Sequence, residues 1–230
     1  MVIKMIDFHS HFLPYMDDGS RSLEESYAML RESARQGVTL MVATPHFYPT
    51  RETPESFIKR RSDAFNRLCL SEDFPKILLG AEVAYFHSIS RCESLKGLNI
   101  EGTDLLLLEM PFEPWTNSMV EDVCAVKKLT GFTPVLAHYE RYRRFPGFTE
   151  HLERMRSAGI LVQSNAENFI NILSSRRAVK AFLSGEIDFV GSDCHNMSSR
   201  APNMACAVKK APKILEIDLS QYLTASSENG

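Results

Sequence analysis

Short, uniformly apolar runs alternate with amphipathic runs along the whole 230-residue chain. A strand without polar alternation has to be covered on both faces, so this pattern is the mark of repeated βα units around a mostly parallel sheet. Seven runs read as strands, at 3–8, 39–43, 77–83, 105–109, 134–137, 160–164 and 188–190. Their starts recur roughly every 30 residues, about the length of one βα unit in a barrel. The helices between them carry their own punctuation. Ser22 with Glu25 forms a capping box, and Gly37 supplies the left-handed stop. Pro54 suits the first turn of a helix over 55–69, and Asn117 or Ser118 caps one over 119–129 that ends at Gly131. Gly159 and Gly185 close two more. The expected fold is α/β, a distorted parallel barrel of seven βα units. Residues 1–215 read as a single domain, and the polar, Ser-rich stretch 216–230 as a tail that frays or helps assembly.

Composition removes several classes of function. With 29 acidic against 26 basic residues and no block of Lys or Arg, the chain offers no electrostatic footprint for nucleic acid. It has no apolar stretch of about 18 residues for membrane insertion. The opening residues run into His9 and His11 instead of a small-residue cleavage site, which makes a cytoplasmic protein the expectation. Cys69, Cys92, Cys124, Cys194 and Cys206 are odd in number and irregularly spaced, without a Cys-x-x-Cys pair. They read as reduced thiols, not as a zinc site.

The informative residues stand at the strand ends. The first strand runs into Asp7-Phe8-His9-Ser10-His11, the second into His46, the third into Glu82, the fourth into Glu109, the fifth into His138 and the seventh into Asp193-Cys194-His195. In a parallel barrel all these ends meet on one face. Asp18, in Asp17-Asp18-Gly19, can join that rim. On an extended segment residues i and i+2 point the same way, so His9 with His11 and Asp193 with His195 read as two-ligand pincers. Nine donors are too many for one ion, and two or three metals bridged by carboxylates fit better. Mixed imidazole and carboxylate suits Zn, Mn or Fe over Ca or Mg. His87 and His151 are away from strand ends and are left out. Such clusters hydrolyse phosphoryl or acyl bonds by lowering the pKa of a bound water toward about 7. Arg141 and Arg200 follow presumed ligands by a few residues and can grip phosphate oxygens as forks.

These residues resemble the polymerase and histidinol phosphatase (PHP) metal-dependent hydrolases, and within them the bacterial capsule-operon branch of manganese-dependent protein-tyrosine phosphatases. The motifs that carry the likeness are Ile6-Asp7-Phe8-His9-Ser10-His11, Asp17-Asp18-Gly19, Ala43-Thr44-Pro45-His46, Gly80-Ala81-Glu82-Val83, His138 to Tyr142, and Gly191 to Asn196. The resemblance implies a trinuclear site held by His9, His11, Asp18, His46, Glu82, Glu109, His138, Asp193 and His195. Manganese is the implied metal, with iron and zinc as alternatives. Arg141 and Arg200 are the implied catalytic contacts to substrate phosphate. The implied partner is a phosphotyrosyl protein, a bacterial tyrosine kinase tail that controls polysaccharide export. Tyr139 and Cys194 depart from the family's usual residues without removing a donor. The oligomeric state is not legible. Two other readings stay open: a phosphatase of sugars or small metabolites, and a non-catalytic metal-binding scaffold. Cys194 and Arg200 also have the Cys-x5-Arg spacing of cysteine-dependent tyrosine phosphatases. The segment between them has no glycine to wrap an anion, so Cys194 reads as a packed thiol.

Overall fold

The structure is a computed structural model that describes residues 5–224. Its strands are β1 (Met5–Ser10), β2 (Val38–Ala43), β3 (His46–Phe47), β4 (Lys76–Leu79), β5 (Glu82–Ala84), β6 (Leu105–Glu109), β7 (Thr133–Leu136), β8 (Leu161–Asn165) and β9 (Phe189–Gly191). The helices are α1 (Leu23–Arg35), α2 (Pro54–Asn66), α3 (Asn117–Thr130), α4 (Tyr139–Tyr142), α5 (Phe148–Ser157), α6 (Ala166–Ile170), α7 (Ser175–Leu183) and α8 (Met204–Lys210).

All the strand pairs are parallel, in the orders β1-β2-β4 and β3-β5-β6-β7-β8-β9. The two sheets are one wall, because β2 and β3 are a single run broken at Thr44-Pro45, and β4 and β5 a single run broken at Gly80-Ala81. Pairing continues through the breaks: Gly80 N–H donates to Ala43 O at 2.8 Å and Glu82 N–H to Pro45 O at 3.1 Å. The ring returns to β1 through a parallel bridge between Ser10 and Cys194, where Asp193 N–H donates to His9 O at 2.8 Å. Among the described residues this makes seven strand units, at the seven places where the sequence is uniformly apolar. Residues 3 and 4 of the first expected strand lie outside the described residues.

The apolar uniformity has two causes, one on each face of the wall. Ile6, Phe8, Val42, Leu105, Leu107, Val135, Ala137 and Phe189 fill the ring, with the Phe8 and Phe189 rings stacked at 4.0 Å. Leu106, Leu108, Leu136, Val162 and Val190 face the helices. Gly191 lets β9 lie against β1, since a Cβ there would sit 2.5 Å from the His9 backbone nitrogen.

Local expectations fare unevenly. Ser22 Oγ accepts from Glu25 N–H at 3.1 Å, but the Glu25 carboxylate reaches Arg21 N–H, one residue before the cap. Neither Asn117 nor Ser118 caps α3. Thr116 does so, accepting from Met119 N–H, because the helix starts two residues earlier than its apolar face. The tail expectation is corrected for 216–224. Leu219 is buried against the ring's inner cluster, Tyr222 packs on Phe189, and Leu223 bridges Thr103. This segment covers one end of the barrel, and 225–230 lie outside the described residues.

Candidate metal centre

At the opposite end, the strand termini deliver their side chains into one cluster. His9 comes from β1 and His11 from just past it, His46 from β3, Glu82 from β5 and Glu109 from β6. His138 follows β7, and Asp193 and His195 follow β9. Asp18 reaches in from the Asp-Asp-Gly loop. The turn of this loop needs Gly19, because a Cβ there would fall 2.2 Å from His11 O.

Glu82 is the hub. Its Oε2 lies 3.2 Å from His9 Nε2, 3.3 Å from His11 Nε2 and 3.0 Å from His46 Nδ1, while Oε1 lies 2.7 Å from His138 Nε2. Glu109 stands 3.6 Å from His138, and Asp18 lies 3.6 Å from His46 and 3.5 Å from His195. Four overlapping groups of donor atoms each fall within 4.8 Å of one another: His11, Asp18, His46 and His195; His9, His11 and Asp193; His9, Glu82 and His138; His46, Glu82 and Glu109. All nine sequence-derived donors belong to at least one group. His87 is exposed, and His151 stacks on Trp115 at 6.4 Å, apart from the cluster.

Partners behind the cluster aim the imidazoles. His11 Nδ1 is 2.7 Å from Asp17 Oδ2, which assigns the proton to Nδ1 and leaves the Nε2 lone pair inward. Asp17 is itself fixed by His46 N–H and Gly19 N–H. His195 Nδ1 donates to Asp193 O at 2.9 Å, and His138 Nδ1 to Asn165 Oδ1 at 3.0 Å. Asn165 also donates to Asp193 Oδ2 at 2.7 Å, and Gln163 Oε1 accepts from His138 N–H at 3.0 Å. The sequence reading passes over Asp17, Gln163 and Asn165. The signal for the last two is a polar Gln163-Ser164-Asn165 ending on the one strand unit without a donor.

The cluster's electrostatics suit a cation. Burial alone would raise the Glu82 pKa, but His9, His138 and His46 outweigh it and hold the carboxyl well below the usual range. Burial, then His11 and Arg200, push the His195 imidazole down to about 4. Asp193 Oδ1 and His195 Nε2 are buried without a hydrogen-bond partner. His9 Nε2 and His11 Nε2 converge to 3.0 Å, an arrangement two lone pairs tolerate only around a shared proton or a cation. Orphaned buried atoms of this kind cost roughly 1–3 kcal/mol each. The nine donors therefore fit bound transition-metal ions.

Arg141 and Arg200 stand at the lip, and both donate to Asp193 Oδ2, at 2.9 and 2.6 Å. Cys194 faces the other way, fully buried in the helix-side core. Burial and the nearby Asp7 carboxylate push its thiol well above the ordinary range, the opposite of an activated nucleophile. Cys194→Ser is expected to keep turnover within about threefold, the loss being at most the roughly 0.5–2 kcal/mol of stability that a polar swap in a core costs. A stopped enzyme with its metals still bound would return Cys194 to the chemistry.

Comparison with known proteins agrees with this geometry. The family described as capsular polysaccharide synthesis, CpsB/CapC, matches over residues 5–229. Tyrosine-protein phosphatase YwqE of Bacillus subtilis (strain 168) is 27% identical over 230 residues, covering 97% of this chain and 90% of that one. Tyrosine-protein phosphatase CpsB of Streptococcus agalactiae serotype V is 31% identical over 217 residues, covering 89% and 88%. Among solved structures, one from work on YwqE of Bacillus subtilis and CpsB of Streptococcus pneumoniae, described as unique metal-dependent tyrosine phosphatases, superposes with a TM-score of 0.76. It is 26% identical and covers 90% of this chain and 85% of that one. On the extent of these matches, this chain belongs to the CpsB/CapC family.

Proposed function

We propose that the chain is a metal-dependent phosphomonoesterase acting on phosphotyrosine in proteins. The observation that carries the reading is the pair of guanidinium groups meeting at the lip of a nine-donor cluster. His9, His11, Asp18, His46, Glu82, Glu109, His138, Asp193 and His195 would hold two or three ions, manganese first, with iron and zinc as alternatives. Bound there, such ions supply Lewis-acid chemistry, acidifying a water and drawing charge from phosphoryl oxygens.

The chain's own groups do the rest. Asp17, Asn165 and Gln163 keep the imidazoles and Asp193 oriented. Arg141 and Arg200 can turn from Asp193 Oδ2 to phosphoryl oxygens, gripping the substrate and meeting charge that develops in transfer. The Phe112 ring, exposed beside the Arg141 guanidinium at 5.5 Å, offers an apolar face to a substrate ring. The names of the relatives support tyrosine as the phosphorylated residue, and the family's description supports a role in capsular polysaccharide synthesis; the target proposed within that role is the tail of a bacterial tyrosine kinase. The five unbonded cysteines support a cytoplasmic setting, and no helix among the described residues is long and apolar enough to cross a membrane.

The test is a side-by-side kcat/KM on phosphotyrosyl peptides and sugar phosphates with manganese, before and after chelation. Phosphotyrosyl peptides should be preferred, and activity should vanish with chelator and return with metal. Equal or better use of sugar phosphates would transfer the site to small-molecule substrates.

A further inference from the structure

A groove of about 720 Å³ shares Arg141, Asp193 and Arg200 with the metal centre and extends past α4, α6 and the start of α7. That is the size of a ligand-binding cleft. Three more guanidinium groups, on Arg143, Arg144 and Arg177, stand on its wall. Among the lining residues only Glu140, Glu167 and Asp193 are acidic. Two of these carboxylates are already committed. Asp193 takes Arg141 and Arg200, and the half-buried Glu140 accepts from Ser164 Oγ and Asn165 N–H.

Arg143, Arg144 and Arg177 are exposed, and among the described residues none has a carboxylate within ion-pair range. Arg143 lies over the Tyr139 ring and Arg144 over the Phe145 ring, while Arg177 donates to Leu173 O. The whole chain carries a net charge of -3, so this concentration of cations on one groove runs against the overall charge. Guanidinium forks match carboxylate and phosphate oxygens in the same planar geometry.

We infer that this groove binds a second anionic group on the substrate polypeptide, a carboxylate or another phosphate a few residues from the phosphotyrosine. The inference rests on the proposal that the substrate is a phosphotyrosyl protein, and it adds a charge requirement on the residues that flank the target. A small phosphate ester held at the metal centre has nothing to place there, so the groove would separate peptide substrates from metabolites. Exposed ion pairs are individually weak and screened by salt, so three together support a preference of about tenfold at low ionic strength.

Three peptides test this, each carrying a phosphonate analogue of phosphotyrosine that cannot be turned over. One has neutral flanks, one has Asp and Glu flanks, and one has a second phosphonate residue. Their dissociation constants are measured by fluorescence anisotropy on the metal-loaded protein. At least one anionic peptide should bind about tenfold tighter than the neutral one, and which one does so identifies carboxylate or phosphate as the source. The gap should close to about twofold in the Arg143→Gln/Arg144→Gln and Arg177→Gln variants. Equal affinities for all three peptides, or a preference that survives in both variants, would overturn the inference. Hydrolysis of phenyl phosphate, which has no flank, is measured on the parent protein in parallel. If it fails while the charge preference persists, the phosphatase reading falls and the anion-binding groove stands.

Discussion

Glu82→Ala is expected to remove bound metal and to lower turnover by at least about 1000-fold, the upper end for loss of one preorganised group. Glu82 is fully buried on β5 and approaches four imidazoles with its two oxygens, closer than any other carboxylate of the cluster. Two of the four donor groups, those with His138 and with Glu109, include it. Without it no carboxylate bridges them, and a divalent charge there would face mostly neutral ligands. The fold should persist, because the wall around position 82 is made by Val83, Leu107 and Leu108. The imidazoles left without their anion can also shed protons near neutral pH, which relieves an unpaired charge. The metal-free variant should therefore unfold within about 3 kcal/mol of the metal-free parent, the low end for breaking a buried ion pair. Elemental analysis, circular dichroism melts and phosphate release check the three parts separately. A variant that keeps a full metal complement yet is inactive would show that Glu82 serves the reaction without holding the ions.

The site was legible in composition before it was legible in geometry. Glu109 follows from alternation alone, since Leu105 and Leu107 point into the ring and Glu109 continues that phase. His9 does not follow. It comes directly after the inward-facing Phe8, so simple alternation would turn it outward, and a register shift between Asp7 and Ser10 intervenes in β1. His138 likewise follows inward-facing Ala137, and its backbone is left-handed at φ 56. Asp193 has φ 53, so the Asp193–His195 pair is no extended pincer. Non-glycine residues in that region cost of order 1–3 kcal/mol. For Asp193 and His195 the i, i+2 argument thus led to two residues that the fold does bring into the cluster, but through a backbone that is not extended at Asp193.

The β8 terminus shows the other limit. Six strand units end in donors and can be recognised by residue type. Gln163-Ser164-Asn165 ends the remaining unit with side chains that hold His138 and Asp193 by hydrogen bonds. Amides and hydroxyls occur at too many loop starts for such a role to be read from sequence. Asp17 was hidden for a related reason. Its neighbour Asp18 looks equivalent in the chain, yet Asp17 turns inward to His11 while Asp18 stays 66% exposed at the rim. The strands and the glycine stops after α1, α3, α5 and α7 were legible because they depend on local apolar pattern and backbone freedom. The Thr116 cap and the packing of 216–224 depend on which tertiary surface each segment meets.

Arg141→Ala and Arg200→Ala are each expected to lower kcat/KM on a phosphotyrosyl peptide by about 100- to 1000-fold while leaving metal content unchanged, the scale for losing one preorganised donor to a transition state. Both guanidinium groups meet at Asp193 Oδ2, so a purely structural role, holding a ligand in place, has to be separated from contact with phosphate. The geometry allows the separation. Asn165 Nδ2 also donates to Asp193 Oδ2 at 2.7 Å, and Asp193 N–H is tied to His9 O, so Asp193 stays placed when either arginine is removed. A structural role therefore predicts weakened metal binding, whereas a phosphate role predicts normal metal binding with weaker inhibition by inorganic phosphate. Arg→Lys variants sharpen the distinction, because an ammonium keeps the charge but cannot offer the two parallel donors of a guanidinium. They should recover only part of the loss. The double alanine variant should fall short of the product of the two single losses, since both forks act on one phosphoryl group. If either single variant stays within twofold of the parent enzyme, that arginine is only an ion-pair partner of Asp193.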